Sequence, residues 1–560
     1  MSEINLGEKK ASISNAEVVH SELRNQEGVK TNQSFGNFLV GYLGLCSADL
    51  MTGYMMYSEG TLQRSYIEEF QALSGLALMS SFTSVIHAVT PPIVANSGDI
   101  FGYKQTYLMS LFIFILGCAL SGLSVNWNMF IAAACIRSLG QQGLSISGSI
   151  VISTALPLRK RGLWSSVQNV IYILTALTAP LVAATFTTRG KWRHVFYIWL
   201  SLSVLVFPLI LKMKLPQKTA ADWHAKVRQI DYIGFILIIA GTTLITLSAN
   251  WGGTKYPWNS VTIIACLVCG VLFFAAFVVY VTKLVKLERP VIQLRLFKKS
   301  PMNWAIAANI FQSAGVFGWM LYLNLYAKAV NNVSDREYGY IGTPYVVAST
   351  FAGITEGLIL TKYGLVKPFL LVSPLITITG ISLTFAFTET SKALVFISTG
   401  VVGLGVGMQY LSLVLSTQSC HPIEDIAQVV MLLGFLAGIF GSFFSSVTGA
   451  VFNATFASKL KFYLPPDTPD AIFTAAKTGA SLVGMNPQYI AGIKDAWSGT
   501  IRVLAWYAIG MMLLTYICSL SIKPYKLTEN IGDEPVKCKS KGIRGFLGLE
   551  TPANHNTTKE

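Results

Sequence analysis

The stretch SGDIFGYK, Ser97–Lys104, separates two long apolar runs with an acid, a glycine and a base. Gly102 gives the chain freedom to turn, while Asp99 and Lys104 carry charges that must find partners at a lipid surface. This pattern predicts a tight cytoplasmic link between two membrane helices. We expect Asp99 at the start of the second of these helices, because a negative charge favours the positive end of a helix.

The composition around this turn is typical of a membrane protein. Of the 560 residues, 52% are hydrophobic and only 12% are charged, and the mean hydropathy is +0.53, far from the values of a soluble globular protein. The net charge of +15 does not indicate nucleic-acid binding, because the bases gather in short links and form no stripe with interleaved aromatic residues. The composition predicts an all-α polytopic membrane protein.

The sequence has no pattern for catalysis or for metal binding. The eight cysteines are scattered, so no disulfide framework is expected. The close pair Cys266 and Cys269 sits in an apolar run, where two small buried side chains are the simplest interpretation. No Walker loop, zinc set or catalytic triad is present. We therefore expect a protein that is not an enzyme and uses no metal or cofactor.

Apolar runs of about 20 residues, the length that crosses a bilayer as a helix, recur about fourteen times. They lie at about 36–57, 75–95, 104–124, 128–151, 166–187, 194–212, 230–250, 260–282, 302–326, 339–361, 367–387, 393–416, 427–452 and 500–522. The predicted regions are a cytoplasmic N-terminal tail (1–35), an N-terminal six-helix bundle (36–212), a linker with two inserted transmembrane helices (213–301), a C-terminal six-helix bundle (302–522) with a long outer loop (453–499), and a cytoplasmic C-terminal tail (523–560).

The distribution of lysine and arginine predicts the orientation. With a cytoplasmic N-terminus, the inner links carry about seventeen basic residues and the short outer links about eight, so both termini are expected in the cytoplasm. Asn332 and Asn453 then lie in Asn-x-Ser/Thr sequons on the outer face and are candidate glycosylation sites. The basic cluster from Arg189 to Arg193 falls on the outer face, against this rule.

A weak internal repeat relates the two predicted bundles. The link GLILTKYGLVKP, Gly357–Pro368, follows the pattern of ANSGDIFGYKQT, Ala95–Thr106. Gly364 stands where Gly102 does, but the second copy has lost its acid. Two matching turns indicate a duplicated six-helix unit, an arrangement that places a substrate site between the halves near mid-membrane.

These residues resemble a known family. The turn is similar to the signature of the major facilitator superfamily, Gly-x-x-x-Asp-Arg-x-Gly-Arg-Lys, with Asp99, Gly102 and Lys104 at matching positions. CIRSLGQQG, which contains Arg137, and TALTAPLVAA, which contains Pro180, resemble two signatures of proton antiporters in that superfamily.

Two more stretches resemble the fungal-type fourteen-spanner drug:proton antiporters, a group related to toxin efflux pumps and siderophore transporters. They are GKWRHVFYI, Gly190–Ile198, and WGGTKYPWNS, Trp251–Ser260. The resemblance implies the major facilitator fold, with two six-helix bundles, two inserted helices and about fourteen transmembrane helices in all.

The resemblance also implies a role for Arg137 in proton coupling. An arginine deep in an apolar helix is costly unless it faces a wet cavity or a partner, and in antiporters of this kind it acts on a nearby carboxylate. Asp49 in the first span is our first choice for that carboxylate, and Glu356 in the tenth is the second. Such an acid can hold either a proton or a cationic substrate, which is the simplest chemistry for antiport.

Three further groups of residues are predicted by position. The inner gate comprises Asp99, Gly102, Lys104, Arg159 and Arg161. The helix-packing hinge comprises Pro180, Gly140 and Gly143. The substrate-binding residues are Gln312, Trp319, Asn324, Gln409 and Tyr410, whose aromatic rings and amides suit an amphipathic organic compound.

These observations predict a proton-coupled secondary active transporter that exports drugs or other small organic or toxic compounds by antiport through alternating access. The alternatives are a siderophore-iron transporter, whose last outer loop resembles LPPDTPDAIFTAAK here, and a vacuolar amino-acid transporter. A membrane sensor or receptor on the same fold would need a larger soluble domain. The expected partners are a small-molecule substrate, protons and the lipid bilayer, with no nucleic acid, for a monomer in the plasma membrane or alternatively the vacuolar membrane.

Overall fold

The computed structural model describes residues 35–70, 76–155, 158–212, 231–252, 256–284, 294–298, 300–331, 340–421, 425–465 and 487–523, together with 292, 333, 337, 525–526 and 536–537. These residues form fourteen α-helices of 16 to 38 residues. They are α1 (Phe35–Phe70), α2 (Leu76–Phe101), α3 (Tyr103–Gly122), α4 (Trp127–Ala155), α5 (Leu158–Thr187), α6 (Arg193–Lys212), α7 (Tyr232–Trp251), α8 (Val261–Val279), α9 (Ser300–Ala329), α10 (Thr343–Tyr363), α11 (Lys367–Ser382), α12 (Lys392–Gln418), α13 (Ile426–Tyr463) and α14 (Pro487–Ser521).

The described helices confirm an all-α membrane protein. Eight of the fourteen are long and apolar enough to cross a membrane. Among the other six, α1, α4 and α10 carry the charged residues Asp49, Arg137 and Glu356. The described strands are two-residue segments at Tyr525–Lys526 and Val536–Lys537, which pair with each other.

Contacts between helices reveal two bundles and an inserted pair. In the first bundle, α1 packs against α5 and α6, and α3 packs against α4 and α6. In the second, α9 packs against α13 and α14, and α12 packs against α10 and α11. The bundles meet along two seams, one between α5 and α10 and the other between α2 and α13. Helices α7 and α8 pack on each other, and α7 contacts both helices of the α2–α13 seam.

The turn between α2 and α3 is shorter than the sequence suggests. Helix α2 continues to Phe101 and α3 begins at Tyr103, so the break is essentially Gly102, whose φ of 94° favours glycine. Asp99 therefore lies in the last turn of α2 and not at the start of α3, which corrects its expected position. The helix persists because the N–H of Gly102 still bonds to the carbonyl of Gly98 at 3.0 Å.

A lysine in or just after each of the two related turns donates hydrogen bonds to the end of the last helix in the same bundle. Lys104 Nζ donates a hydrogen bond to the carbonyl oxygen of Leu211, at the end of α6, at 2.6 Å. In the second copy, Gly364 ends α10 with a φ of 68°, and Lys367 Nζ donates to three carbonyl oxygens at the end of α14. They belong to Ser519, Leu520 and Ile522, at 2.8, 2.7 and 2.5 Å. The final carbonyls of a helix lack intrahelical partners, so these ammonium groups satisfy them.

The prediction of an outer loop over residues 453–499 is wrong for both ends of this stretch, which are helical. Residues 453–463 continue α13, and residues 487–499 begin α14. The stretch 466–486 lies outside the described residues. Helix α1 likewise extends thirteen residues past its predicted span, which ended at residue 57, to Phe70.

Packing explains the extension of α13. Lys459 and Lys461 end the apolar run, and a hydropathy window therefore stops before them. The helical period still buries Phe456 against Trp497 of α14, with ring centroids 4.9 Å apart. Because α13 and α14 support each other, the helices continue beyond the apolar run.

Candidate functional site

A cavity of about 550 Å³ lies between the two bundles. Helices α1, α4 and α5 supply one wall, and α9, α10, α12 and α13 supply the other. This volume suits a small organic molecule. Its larger polar side chains are a carboxylate, amides and tyrosines, namely Asp49, Gln142, Gln168, Tyr172, Asn309, Gln312, Tyr345, Tyr410 and Gln418.

Asp49 is the one carboxylate on the described cavity wall, and no described lysine, arginine or histidine joins it there. Gln168 Nε2 donates a hydrogen bond to Asp49 Oδ2 at 2.5 Å, and Tyr172 of the same helix also lines the cavity. A neutral donor from α5 therefore holds this charge. An acid in such a setting can bind a proton or a positively charged ligand.

Two predicted substrate residues line the second wall. Gln312 of α9 is only 4% exposed, and its Nε2 has no hydrogen-bond partner among the described residues. Tyr410 of α12 lines the cavity as well. A buried donor without a partner is costly, so Gln312 is a ready contact for an oxygen atom of a ligand.

The other three predicted substrate residues do not line this cavity, which corrects their expected position: Trp319, Asn324 and Gln409. Trp319 is buried in the core of the second bundle, where its Nε1 donates to Thr384 Oγ1 at 3.2 Å. Gln409 is fully buried although its neighbour Tyr410 lines the cavity. Successive helical residues point about 100° apart, so residue type alone does not reveal the wall to which each belongs.

One hydrogen bond joins the two walls at an end of the cavity. Gln418 Nε2 donates to Ser153 Oγ at 3.0 Å, and both residues line the cavity. Ser153 lies near the end of α4, and Gln418 ends α12. Both helix ends are predicted on the cytoplasmic side, so this bond lies at the cytoplasmic end of the cavity in that orientation.

Arg137 pairs with an acid other than the two we expected. It is 2% exposed, and its guanidinium Nη2 lies 3.0 Å from Glu59 Oε2. Asp49 and Glu356 instead accept hydrogen bonds from neutral groups, which corrects the expected pairing. The guanidinium also lies over the ring of Phe196, 4.9 Å from its centroid, a contact that helps to stabilise a buried cation.

Sequence reasoning missed Glu59 because the apolar run of α1 ends before it. The residues after 57 read as an outer link, whereas the structure continues α1 to Phe70. The signal that was available is Tyr66, which is aromatic and falls two helical turns after Glu59. Its hydroxyl lies 3.4 Å from Glu59 Oε1.

Glu356 lies inside the second bundle and not on the cavity wall. It is fully buried in α10. The N–H of Ser412 donates to Glu356 Oε1 at 2.9 Å, and the Ser412 hydroxyl donates to the same oxygen. Glu356 Oε2 has no partner among the described residues. A buried carboxyl with one free oxygen is suited to holding a proton.

The predicted inner gate is described only in part. The side chains of Asp99, Arg159 and Arg161 lie outside the described residues. Gly102 forms the break between α2 and α3, and Lys104 caps α6. Pairing of these charges across the inner face therefore stays a prediction.

The glycines of the predicted hinge lie where α3 and α4 pack closely. A Cβ atom added to Gly140 would be 2.4 Å from the backbone nitrogen of Phe114, and one on Gly143 would be 2.5 Å from Ser110 Oγ. Pro180 is buried within α5. Movement at these positions stays a prediction.

Two residues of the basic cluster from Arg189 to Arg193, namely Trp192 and Arg193, make contacts at one end of the first bundle. Arg193 Nη1 lies 2.5 Å from Glu69 Oε1, and its Nη2 donates to the carbonyl of Ser124 at 2.9 Å. Trp192 Nε1 donates to Glu69 Oε2 at 2.5 Å. This part of the basic cluster thus ties α6 to α1 and to the α3–α4 link.

The two candidate glycosylation sites differ in setting. Asn332 lies outside the described residues. Asn453 lies within α13 and not in a loop, because the helix extends past its apolar run. Glycosylation at either position stays a prediction.

Comparison with known proteins agrees with this geometry. A family model described as Major Facilitator Superfamily matches residues 43–445. The chain is 25% identical over 485 residues to the MFS-type efflux pump MFS1 of Arthroderma benhamiae, covering 86% of this chain and 90% of that relative. It is 28% identical over 411 residues to the MFS-type transporter VdtG of Byssochlamys spectabilis, covering 71% of this chain and 73% of that relative.

A solved structure shares the fold. The major facilitator proton:xylose symporter XylE, bound to 6-bromo-6-deoxy-D-glucose, matches with a TM-score of 0.52. The match covers 85% of this chain and 96% of that chain at 12% sequence identity. At this identity the likeness concerns the fold alone.

Proposed function

Because the chain belongs to the major facilitator superfamily, we propose that it is a secondary active transporter that exports small organic compounds in exchange for protons. The observation that carries the proposal is the cavity of about 550 Å³ between the two bundles, with Asp49 as the one carboxylate on its described wall. A site at the interface of duplicated halves can open to either side when the halves rock.

The direction of transport rests on the relatives. One relative, matched over 90% of its length, is named an efflux pump. We extend this direction of transport to the present chain. The cavity supports a small amphipathic substrate, because its tyrosines and apolar side chains can pack an organic skeleton while its amides bind polar groups.

Alternating access requires contacts between the bundles that form and break. The hydrogen bond between Gln418 and Ser153 joins the walls at one end. A single neutral hydrogen bond contributes about 1 kcal/mol, so it is weak enough to break during each cycle.

We place the protein as a monomer in the plasma membrane with both termini in the cytoplasm.

Protons drive export in this proposal. The candidate proton carriers are the acids Asp49, Glu59 and Glu356, which lie on helices of the two bundles. Asp49 would contact the substrate, because it lines the cavity. Arg137 would act through its ion pair with Glu59.

The test is transport in sealed vesicles that contain the purified full chain. Rhodamine 6G, an organic cation, and a neutral fungal polyketide serve as probes, with and without an imposed pH gradient. We expect the gradient to drive at least one probe and its collapse to stop that flux. If neither the gradient nor its collapse changes the movement of any probe, the proposal of proton-driven export is wrong.

A further inference from the structure

A short 3₁₀ helix, Leu294–Lys298, lies between α8 and α9 in the chain, and we refer to it as the connecting segment. Its Leu296 is 2% exposed. This side chain belongs to an apolar cluster that also contains Ile146 of α4 and Leu432 of α13. The connecting segment is therefore anchored in a core to which both bundles contribute.

The polar groups of the connecting segment contact the link between α12 and α13. Arg295 Nη2 lies 2.8 Å from Asp425 Oδ1, just before α13 begins. The side chain of Asp425 is only 10% exposed, and a carboxylate this far from water needs a partner. His421 Nε2 also lies 3.3 Å from the carbonyl oxygen of Leu296. The α12–α13 link is thus held to the connecting segment at two points.

The same link leads directly to the hydrogen bond that joins the two cavity walls. The N–H of His421 donates to the carbonyl oxygen of Gln418 at 3.3 Å. The side chain of Gln418 in turn donates to Ser153 of α4 at 3.0 Å, and we call this contact the closing bond. His421 Nδ1 lies 3.1 Å from the carbonyl oxygen of Thr417. His421 therefore contacts both the connecting segment and the end of α12 that carries the closing bond.

Building on the alternating access of the proposed function, we propose that the connecting segment positions Gln418 and so holds the cytoplasmic end of the cavity closed. Arg295 and His421 are positioning residues, because they act through the α12–α13 link and do not line the cavity. When Arg295 leaves Asp425, this link can move and carry Gln418 away from Ser153. The inserted pair, which precedes the connecting segment in the chain, thereby takes part in opening and closing the cavity.

The size of the effect follows from the exposure of the ion pair. The side chain of Arg295 is 65% exposed, so water screens its interaction with Asp425. We expect loss of this pair to raise the population that is open at the cytoplasmic end about fivefold or less. A contact of this strength can yield in every cycle.

The experiment measures the width of the cytoplasmic end and needs no substrate. Spin labels are attached at Gln105 and Lys362, which are exposed beside the two related turns of the first and second bundle, after the eight native cysteines are replaced. The distance distribution is recorded on the purified full chain in lipid nanodiscs. The variants are Arg295→Gln, Asp425→Asn and the conservative Arg295→Lys, which keeps the positive charge.

Glu389→Gln is the matched control, because it removes an ion pair with Lys494 at the opposite end of the second bundle. We expect longer distances between the labels in Arg295→Gln and in Asp425→Asn. Arg295→Lys and Glu389→Gln should keep the parent distribution.

A second comparison separates positioning from a general loosening of the protein. Ser153→Ala removes the closing bond directly. If Arg295 acts by positioning Gln418, adding Arg295→Gln to Ser153→Ala should widen the cytoplasmic end no further.

Four results would each overturn the proposal. They are parent distributions in both Arg295→Gln and Asp425→Asn, a change in Arg295→Lys as large as that in Arg295→Gln, an equal change in Glu389→Gln, and additive effects of Arg295→Gln and Ser153→Ala. Failure of the vesicle assay together with the expected distances here would contradict proton-driven export alone.

Discussion

Lys367 Nζ lies 2.5 Å from the carbonyl oxygen of Ile522, just past the end of α14. Lys104 makes the equivalent contact with Leu211 of α6 in the first bundle, at 2.6 Å. In each half, the turn after the second helix of the bundle is therefore fastened to the last helix of the same bundle. Such fastening favours movement of each bundle as a unit.

Replacing Lys367 by methionine should destabilise the second bundle. The side chain is 2% exposed, and its loss leaves buried carbonyl oxygens without a donor, at a cost of about 1–3 kcal/mol in the free energy of unfolding. Thermal unfolding in detergent measures the effect as a lower Tm. Lys283→Met, at an exposed position, is the matched control and should leave Tm unchanged. An equal Tm for Lys367→Met would contradict a stabilising role.

Replacing Gly102 by alanine should strain the turn between α2 and α3. The φ of 94° and ψ of 145° suit glycine almost alone, and other residues there cost about 1–3 kcal/mol. The added Cβ would also lie 2.7 Å from Gln105 Oε1. The measurement is Tm against Gly510→Ala, a helical position with no atom within 4 Å of the added Cβ. That control should be neutral or slightly stabilising. Equal Tm values for both variants would exclude strain at Gly102.

The ion pair of Glu69 and Arg193 should make stability depend on pH. Glu69 lies on the extension of α1 beyond the predicted span, where its side chain is 40% exposed. Partial burial raises the pKa of Glu69, but hydrogen bonds from Arg193 and Trp192 outweigh burial and hold this pKa below its usual value. A carboxyl with a lowered pKa adds stability above its unfolded pKa of about 4.3, and this stability is lost as the pH falls through the folded pKa.

The corresponding measurement compares Tm across acid pH for the parent and Glu69→Gln. The parent should lose more stability than the variant below about pH 4. The Tm values of the two proteins should change in parallel from about pH 6 to about pH 8, because Glu69 stays ionised in this range. If the curves of Tm against pH remain parallel throughout the acid range, Glu69 does not contribute to the pH dependence of stability.

Asp49→Asn should change which ligands the cavity binds. Removing the one carboxylate on the described wall should weaken binding of rhodamine 6G about tenfold or more, which corresponds to about 1.4 kcal/mol. Binding of a neutral polyketide should change much less, because it makes no ion pair. Fluorescence titration of the purified protein measures both affinities. Equal losses for the cationic and neutral probes would show that Asp49 acts through structure and not through charge.

The sequence predicts the architecture well because membrane helices follow simple rules of length and composition. The fourteen helices of the described residues, the two bundles and the glycine turns at Gly102 and Gly364 match what local patterns predict. The site is harder to predict, because helix rotation decides which side chains face the cavity. Gln312 and Tyr410 line it, while Trp319 does not.

Glu59 illustrates the same limit for ion pairs. The hydropathy pattern predicts an end of α1 that lies before Glu59. No local sequence pattern shows that Glu59 contacts Arg137, which is 78 positions away in the chain. A buried arginine predicts that a carboxylate is near, but only tertiary packing selects which one. The motif favours Asp49 as the partner of Arg137, but the packing of α1 against α4 brings Glu59 to Arg137 instead.

The inserted helices make the two seams of the protein unequal. Helix α7 contacts both sides of the α2–α13 seam. The segment after α8 is tied to the second bundle by Arg295, whose Nη2 lies 2.8 Å from Asp425. Along the α5–α10 seam, an apolar groove that includes Ile173 and Phe351 faces outward. Rocking of the bundles should therefore displace lipid mainly at that seam, and we expect the transport rate to depend on the thickness and lateral pressure of the bilayer.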